Sequence, residues 1–147
     1  MRIIDVLADK GRRVVTVWPD KEIGQIPRVF DERGIASVVV VDHAQQPLGI
    51  VTDRDILHCL ARQGVVALEL KVTRAMQSPP PLCSLDDTVN GVLRFMTQNR
   101  VRHVLVMHTG KMVGIVSIGD LVKFRLKDAD LENRVLREIA LSKLGTA

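Results

Sequence analysis

The run Gly34-Ile35-Ala36-Ser37-Val38-Val39-Val40-Val41, followed by Gly49-Ile50-Val51-Thr52-Asp53-Arg54-Asp55-Ile56, decides how this chain is read. Two β-branched stretches flank a polar turn, Asp42 to Pro47, which is the pattern of a hairpin. The second stretch runs straight into Asp53, where a helix carrying Ile56, Leu57 and Leu60 begins. A second copy lies downstream. Advancing by 66 positions carries Ser37 onto His103, Asp20 onto Asp86, Ile23 onto Val89, Ile26 onto Val92, Phe30 onto Met96 and Ile35 onto Val101. The four valines fall on Val104-Leu105-Val106-Met107. After a turn one residue shorter, Gly49-Ile50-Val51-Thr52 meets Gly114-Ile115-Val116-Ser117, and Asp55 meets Asp120. The chain is an internal duplication.

Working outward, each unit opens on a short extended piece, Val14 to Val17 or Leu82-Cys83. An acidic helix start follows at Asp20 or Asp86, where a carboxylate caps and opposes the dipole. Apolar residues at 23, 26 and 30, and at 89, 92, 93 and 96, keep helical period. Gly34 is placed to end the first of these helices in a left-handed turn. Pro27 conflicts with a helix running from Asp20, so that helix is either kinked or starts later. The order per unit is β-α-β-β-α, an α/β (α+β) fold. The expected boundaries are 8–64 and 74–127, with Ser78-Pro79-Pro80-Pro81 between the units. Ile3, Ile4, Val6 and Leu7 form an N-terminal helical flank. A helical tail at 128–147, with Leu131, Val135, Leu136 and Ile139, reads as a packing face against the same chain or a twin.

Composition sets the class. The 147 residues are 46% apolar and 26% charged, enough for a real core in a soluble protein. Trp18, Phe30, Phe95 and Phe124 are the only Phe or Trp and there is no Tyr, so the core is aliphatic. The formal charge of +4 is mild, the arginines are scattered, and the aromatics that interleave with a basic stripe in nucleic-acid binders are missing. No apolar run approaches the ~20 residues of a membrane span. The start, MRIIDVLADKGRR, lacks the features of a secretory signal. Cys59 and Cys83 have neither metal nor redox spacing, and His43, His58, His103 and His108 share no ligand spacing. The expectation is a cytoplasmic protein of a reduced compartment, with no nucleic acid, membrane or metal partner. Cys83 reads as a small buried side chain rather than a nucleophile.

The pattern G-I-A-S-V-V-V-V-D then G-I-V-T-D-R-D-I, repeated as R-V-R-H-V-L-V-M then G-I-V-S-I-G-D-L, resembles tandem CBS domains, a Bateman module. The resemblance covers about Lys10 to Lys123. It implies a pseudo-two-fold pairing of the repeats through their sheets, with two clefts between them. It also implies ligands of the adenosine class and, commonly, a dimeric disc of two modules.

A nucleotide makes three demands on such clefts. Its ribose hydroxyls need an acceptor, and Asp55 and Asp120 sit one turn into the helix after the last strand. Its phosphate needs donors and positive charge, which a helix N-terminus supplies, aided by the hydroxyls of Thr52 and Ser117. Arg54 adds charge in the first unit, where the second has Gly119. Adenine needs apolar faces, offered by Val14, Ile35 and Ala36, or by Pro79 and Val101. The resemblance implies that each cleft draws on both repeats, so that Thr52 and Asp55, carried over by position, would face Val101, Arg102 and His103 in a cationic cleft. Ser117 and Asp120, with Ile115, face Val14, Ile35, Ala36 and Ser37 in a more neutral one. Thr52-x-x-Asp55 and Ser117-x-x-Asp120 read equally as local helix caps, a role compatible with binding. His103 reads as a polar lining residue or as a satisfied sheet-edge group.

The function expected from the resemblance is that of a stand-alone homodimeric sensor. Its regulatory ligand is an adenine nucleotide, AMP first, with ATP, ADP and NAD-type dinucleotides as further candidates, and its target is a separate protein. The alternative is a structural homodimerisation module with vestigial clefts. An enzyme such as a nucleotide hydrolase lacks support, since no nucleophile–base pair or carboxylate cluster is visible in the sequence.

Overall fold

The computed structural model describes residues 1–145. The elements in order are α1 (Ile3–Lys10), β1 (Thr16–Val17), α2 (Ile26–Arg33), β2 (Ser37–Val41), β3 (Pro47–Thr52) and α3 (Asp53–Gln63). The second half continues with β4 (Leu82–Ser84), α4 (Val89–Asn99), β5 (His103–His108), β6 (Lys111–Ser117) and α5 (Ile118–Gly145). Short 3-10 turns occupy Ile23–Gln25, Gly64–Glu69 and Val72–Arg74.

The β-α-β-β-α order holds in both units. Each makes a three-stranded sheet, β1-β2-β3 or β4-β5-β6, with the first strand parallel to the second and the hairpin antiparallel. The hairpin registers set Ser37 opposite Thr52 and His103 opposite Ser117. The second hairpin turns through Thr109 and Gly110, both at positive φ, as a tight two-residue connection requires.

All four valines of β2 are buried, and successive side chains point to opposite faces. Val38 and Val40 pack under α2 and α3 with Ile23, Ile26, Val51 and Ile56. Val39 and Val41 point the other way and meet Ile50, Leu105 and Ile115, with Met107 and Met112 alongside. That cluster joins the two sheets face to face, which makes the pseudo-two-fold pairing of the repeats a packing fact.

The leading segments cross over. Ile3, Val6 and Leu7 of α1 are buried in the core of the second unit, among Cys83, Val89, Val92, Met96 and Leu121. Ala67, Val72 and Ala75, which lie between the units in sequence, fill the core of the first.

Local expectations fared unevenly. Gly34 does end α2 in the left-handed conformation, at φ 61°. Its counterpart 66 positions on is Arg100, which takes the same conformation at φ 55° to end α4. Pro27 lies in the first turn of α2, where its missing N–H costs nothing, so this helix starts late rather than kinking. Asp20 and Asp86 do not cap helices. Both lie in turns ahead of them, and α4 is capped instead by Thr88, whose hydroxyl accepts from the Gly91 N–H at 3.0 Å.

The tail at 128 is no separate element, since α5 runs unbroken from Ile118 to Gly145; residues 146–147 lie outside the described residues. Packing of that tail against its own chain also fails. Leu131, Val135, Leu136 and Ile139 are all exposed, and the apolar residues of α5 that pack into the core, Ile118, Leu121 and Phe124, lie in its first turns. Asp9–Lys127 at 3.0 Å and Arg125–Asn90 at 2.7 Å fasten those turns.

Gly49 and Gly114 are equivalent positions of the two repeats, and both mark close approaches. A Cβ on Gly49 would lie 2.8 Å from the Gln77 carbonyl oxygen and 2.7 Å from the Met76 sulfur; one on Gly114 would meet the Leu7 methyls at 2.8 Å and 2.9 Å. The Gln77 carbonyl is held by paired backbone bonds with Ile50, whereas a leucine side chain can rotate. Gly49→Ala should therefore cost about 1–3 kcal/mol in urea unfolding, as overpacking typically does. Gly114→Ala should cost less. Equal losses, or the reverse order, would show that the 50–77 backbone bridge yields.

Candidate functional site

The candidate site is a pair of cavities between the two units, each at the end of a hairpin where a strand feeds a helix. In the first, α3 begins at Thr52. The Thr52 hydroxyl accepts from the Asp55 N–H at 3.3 Å, and Asp55 Oδ2 accepts from the Thr52 N–H at 2.8 Å, a closed capping box. The second repeats it: Ser117 Oγ accepts from the Asp120 N–H at 3.1 Å, and Asp120 Oδ2 accepts from the Ser117 N–H at 2.8 Å. The caps are therefore real, and both carboxylates still line a cavity.

The first cavity, about 590 Å³, brings Thr52, Arg54 and Asp55 together with Val101, Arg102 and His103 of the opposite unit. Asp53, His58, Gln77, Arg100 and Ile118 also line it. Arg100 carries the positive φ noted above, a strained backbone of the kind that gathers at functional sites. The second cavity, about 420 Å³, brings Ile115, Ser117 and Asp120 together with Ile35, Ala36 and Ser37.

Three expected lining residues fall elsewhere. Val14 packs into the sheet-to-sheet cluster, and alternation along the extended chain gives Val15 to the second cavity instead. Pro79 is exposed and absent from the first cavity's wall; Ser78 donates to the Leu48 carbonyl at 2.8 Å, and Gln77 takes the place by the cleft. Gly119 is exposed on the first turn of α5, outside the second wall.

The expected contrast of a cationic and a neutral cleft does not hold. Arg54, Arg100 and Arg102 stand against Asp53 and Asp55 in the first, and Lys10 and Arg13 stand against Asp120 in the second. With histidines neutral, each wall carries one net positive charge. Lys10 and Arg13 were missed because they precede the repeat pattern and belong to no motif.

Each carboxylate has a second occupant besides its cap. Gln77 Nε2 donates to both Asp55 oxygens, at 3.2 Å and 3.0 Å. Lys10 Nζ donates to Asp120 Oδ2 and to the Ile115 carbonyl, both at 2.6 Å. Burial alone would raise the Asp120 pKa, but the bonds from Lys10 and Ser117 outweigh it and hold the carboxyl below its ordinary value.

His103 lines both cavities. Its Nδ1 is buried without a hydrogen-bond partner. Burial lowers its pKa, and Lys10 adds to this, while Asp53, Asp120 and Asp55 pull the other way and lose. Cys83, by contrast, is buried with its thiol pushed up to about 12, first by burial and then by Asp87, so it remains an inert core group. Among the described residues, no three His, Cys, Asp or Glu gather as a metal ion would need, and no helix is long and apolar enough to cross a membrane.

The CBS domain model matches residues 7–62 and again residues 71–127. The chain belongs to the CBS domain family. The mitochondrial CBS domain-containing protein CBSX3 of Arabidopsis thaliana is 30% identical over 129 residues, 82% of this chain. The chain spans just under two thirds of that curated relative's length, 63%. A crystal structure of a CBS-domain containing protein from Agrobacterium tumefaciens superposes with a TM-score of 0.81 at 40% identity, covering 84% of this chain and 98% of its own. The CBS domain pair of protein MJ0100, solved with 5-methylthioadenosine and S-adenosyl-L-methionine, shares the fold at a TM-score of 0.76 and 21% identity, over 87% of this chain and 98% of its own.

The lowered His103 pKa has a signed consequence for this CBS pair. An imidazole that resists protonation in the fold but not in the unfolded chain leaves stability undiminished above its unfolded value of 6.5. Stability then falls as the pH drops below that value, because the unfolded state binds the proton first. The Asp120 contribution is lost separately, as the pH falls through and below the ordinary 3.8. Urea midpoints measured from pH 8 to pH 5 should decline for the wild type and stay nearly level for His103→Gln. Parallel curves would show that His103 is not the group responsible.

Proposed function

We propose that this CBS pair is a regulatory module that senses an adenine nucleotide held in the clefts between its repeats. AMP is the first candidate, with ADP, ATP and NAD-type dinucleotides after it. One observation carries the reading: in both units a capped helix N-terminus and its carboxylate open into a cavity whose other wall comes from the opposite repeat. Such a terminus supplies backbone donors and a favourable dipole for phosphate, and the carboxylate can accept from a ribose. Cavities of about 590 Å³ and 420 Å³ are in the range of small-molecule sites. The adenosine compounds bound by the MJ0100 pair support the ligand class.

The site residues proposed are Thr52, Arg54, Asp55, Val101, Arg102 and His103 in the first cleft, with Ile35, Ala36, Ser37, Ile115, Ser117 and Asp120 in the second. The output is a population shift, driven by the ligand's different affinities for two arrangements of the module, and is read by a twin or by a separate protein. No chemistry is assigned to the clefts; the reading is of a binding module rather than an enzyme.

A second reading has its own observation. Gln77 and Lys10 already satisfy the two carboxylates, as they would in a dimerisation module whose clefts are vestigial. Thermal denaturation with millimolar AMP, ATP and NAD separates the two. Under the sensor reading at least one ligand raises the midpoint, by about 2.7 kcal/mol of stability at a hundredfold excess over Kd. Combining Asp55→Ala with Asp120→Ala abolishes the rise. Flat wild-type midpoints beside a robust dimer in light scattering would favour the vestigial reading.

A further inference from the structure

The two clefts differ in what holds their carboxylates. Asp55 is held by the neutral amide of Gln77, and Asp120 by the ammonium of Lys10. The two occupants are structural counterparts, since each comes from the segment that leads into its repeat's first strand. Each also satisfies the equivalent carbonyl: the Gln77 N–H donates to the Ile50 oxygen at 2.8 Å, and Lys10 Nζ to the Ile115 oxygen. Lys10 is the last residue of α1, so its backbone is fixed while its four-carbon stem can swing. The ion pair is only partly screened, with about a third of the Lys10 side chain and a quarter of the Asp120 side chain exposed (33% and 27%).

Resting on the nucleotide reading above, we propose that Lys10 is the charge selector of the second cleft, a built-in cation that stands in for the ligand until an anion arrives. A nucleotide whose ribose hydroxyls take over Asp120 frees the ammonium, and its phosphate then pairs with that ammonium. A neutral nucleoside must break the same ion pair and offers no anion in return. The second cleft therefore discriminates between nucleotide and nucleoside through a residue no motif marks. The first cleft gives up only an amide contact and discriminates less by this route.

Isothermal titration with AMP and with adenosine tests this, in an Asp55→Ala background that leaves the second cleft to report. The expected result is that Lys10→Met lowers the ratio of AMP to adenosine affinity by ~10-fold, the size of one charge-assisted contact. AMP binding weakens while adenosine binding holds or tightens. Lys10→Gln, which imitates Gln77, keeps a donor for Asp120 and should show the same loss of ratio if the methionine variant folds poorly. In the reverse arm, Gln77→Lys in an Asp120→Ala background should raise the ratio in the first cleft. An unchanged ratio in a folded Lys10 variant that still binds AMP overturns the selector role and leaves the nucleotide reading intact. Absence of AMP binding in the wild type overturns the selector role, and absence of ADP, ATP and NAD binding as well overturns the nucleotide reading itself.

Discussion

The structure depends on one contact: the apolar seam where the β2-β3 and β5-β6 hairpins press face to face. Val39, Val41, Ile50, Leu105 and Ile115 lose nearly all contact with water there. Helices cover one face of each three-stranded sheet: α2 and α3 lie on β1-β2-β3, and α4, the start of α5 and the crossed-over α1 lie on β4-β5-β6. The remaining face of each sheet is as apolar as the first, because Val38-Val39-Val40-Val41 and Val104-Leu105-Val106-Met107 leave no polar side. Left open, it would be the kind of exposed patch that soluble proteins avoid. Duplication solves the problem with the same apolar pattern, since each sheet is the cover of its twin. The clefts follow from the geometry. The seam ends where the strands end, at Ser37 and Thr52 in one unit and His103 and Ser117 in the other, and cavities are left at those edges.

The crossed leading segments make the arrangement closed rather than merely stacked. α1 contributes Ile3, Val6 and Leu7 to the far unit, and residues 64–75 fill the near one. Each segment then leaves a polar residue at the mouth of a cleft, Lys10 in one case and Gln77 in the other. The partners of Asp120 and Asp55 are therefore set by packing remote from the motif. The close contacts at Gly49 and Gly114 record how tightly these segments lie on the sheets.

How much of this was legible in the sequence follows from the range of each interaction. The hairpins, the helices after them, the αL glycine at Gly34 and the carboxylates of Asp55 and Asp120 are local, and period or short motif is enough to find them. The errors cluster where a longer-range fact decided. Asp20 and Asp86 look like caps, yet the helices begin later, at Ile26 behind a 3-10 turn and at Val89 behind Thr88. Val14 and Val15 are indistinguishable in type, and only the facing sheet chooses which of them reaches the cleft. Arg100 stands where composition would place a glycine. Lys10 and Gln77 carry no signal at all, since neither lies in the repeated pattern and each meets its carboxylate only after folding, 110 and 22 residues away in sequence.

Duplication supplies two scaffolds of the same topology, and the substitutions laid on them make the clefts unequal. Arg54 faces the first cavity, whereas the matching Gly119 contributes no side chain to the second; Arg100 lines the first, as its counterpart Gly34 lines the second. The two walls reach the same net charge by different means: three arginines around an amide-bound carboxylate on one side, an ammonium paired to its carboxylate on the other. His103 belongs to both walls, with one buried nitrogen left unbonded between them. The two unlike cavities therefore meet at one imidazole ring. Any interaction carried from one cavity to the other through that ring is bound by reciprocity.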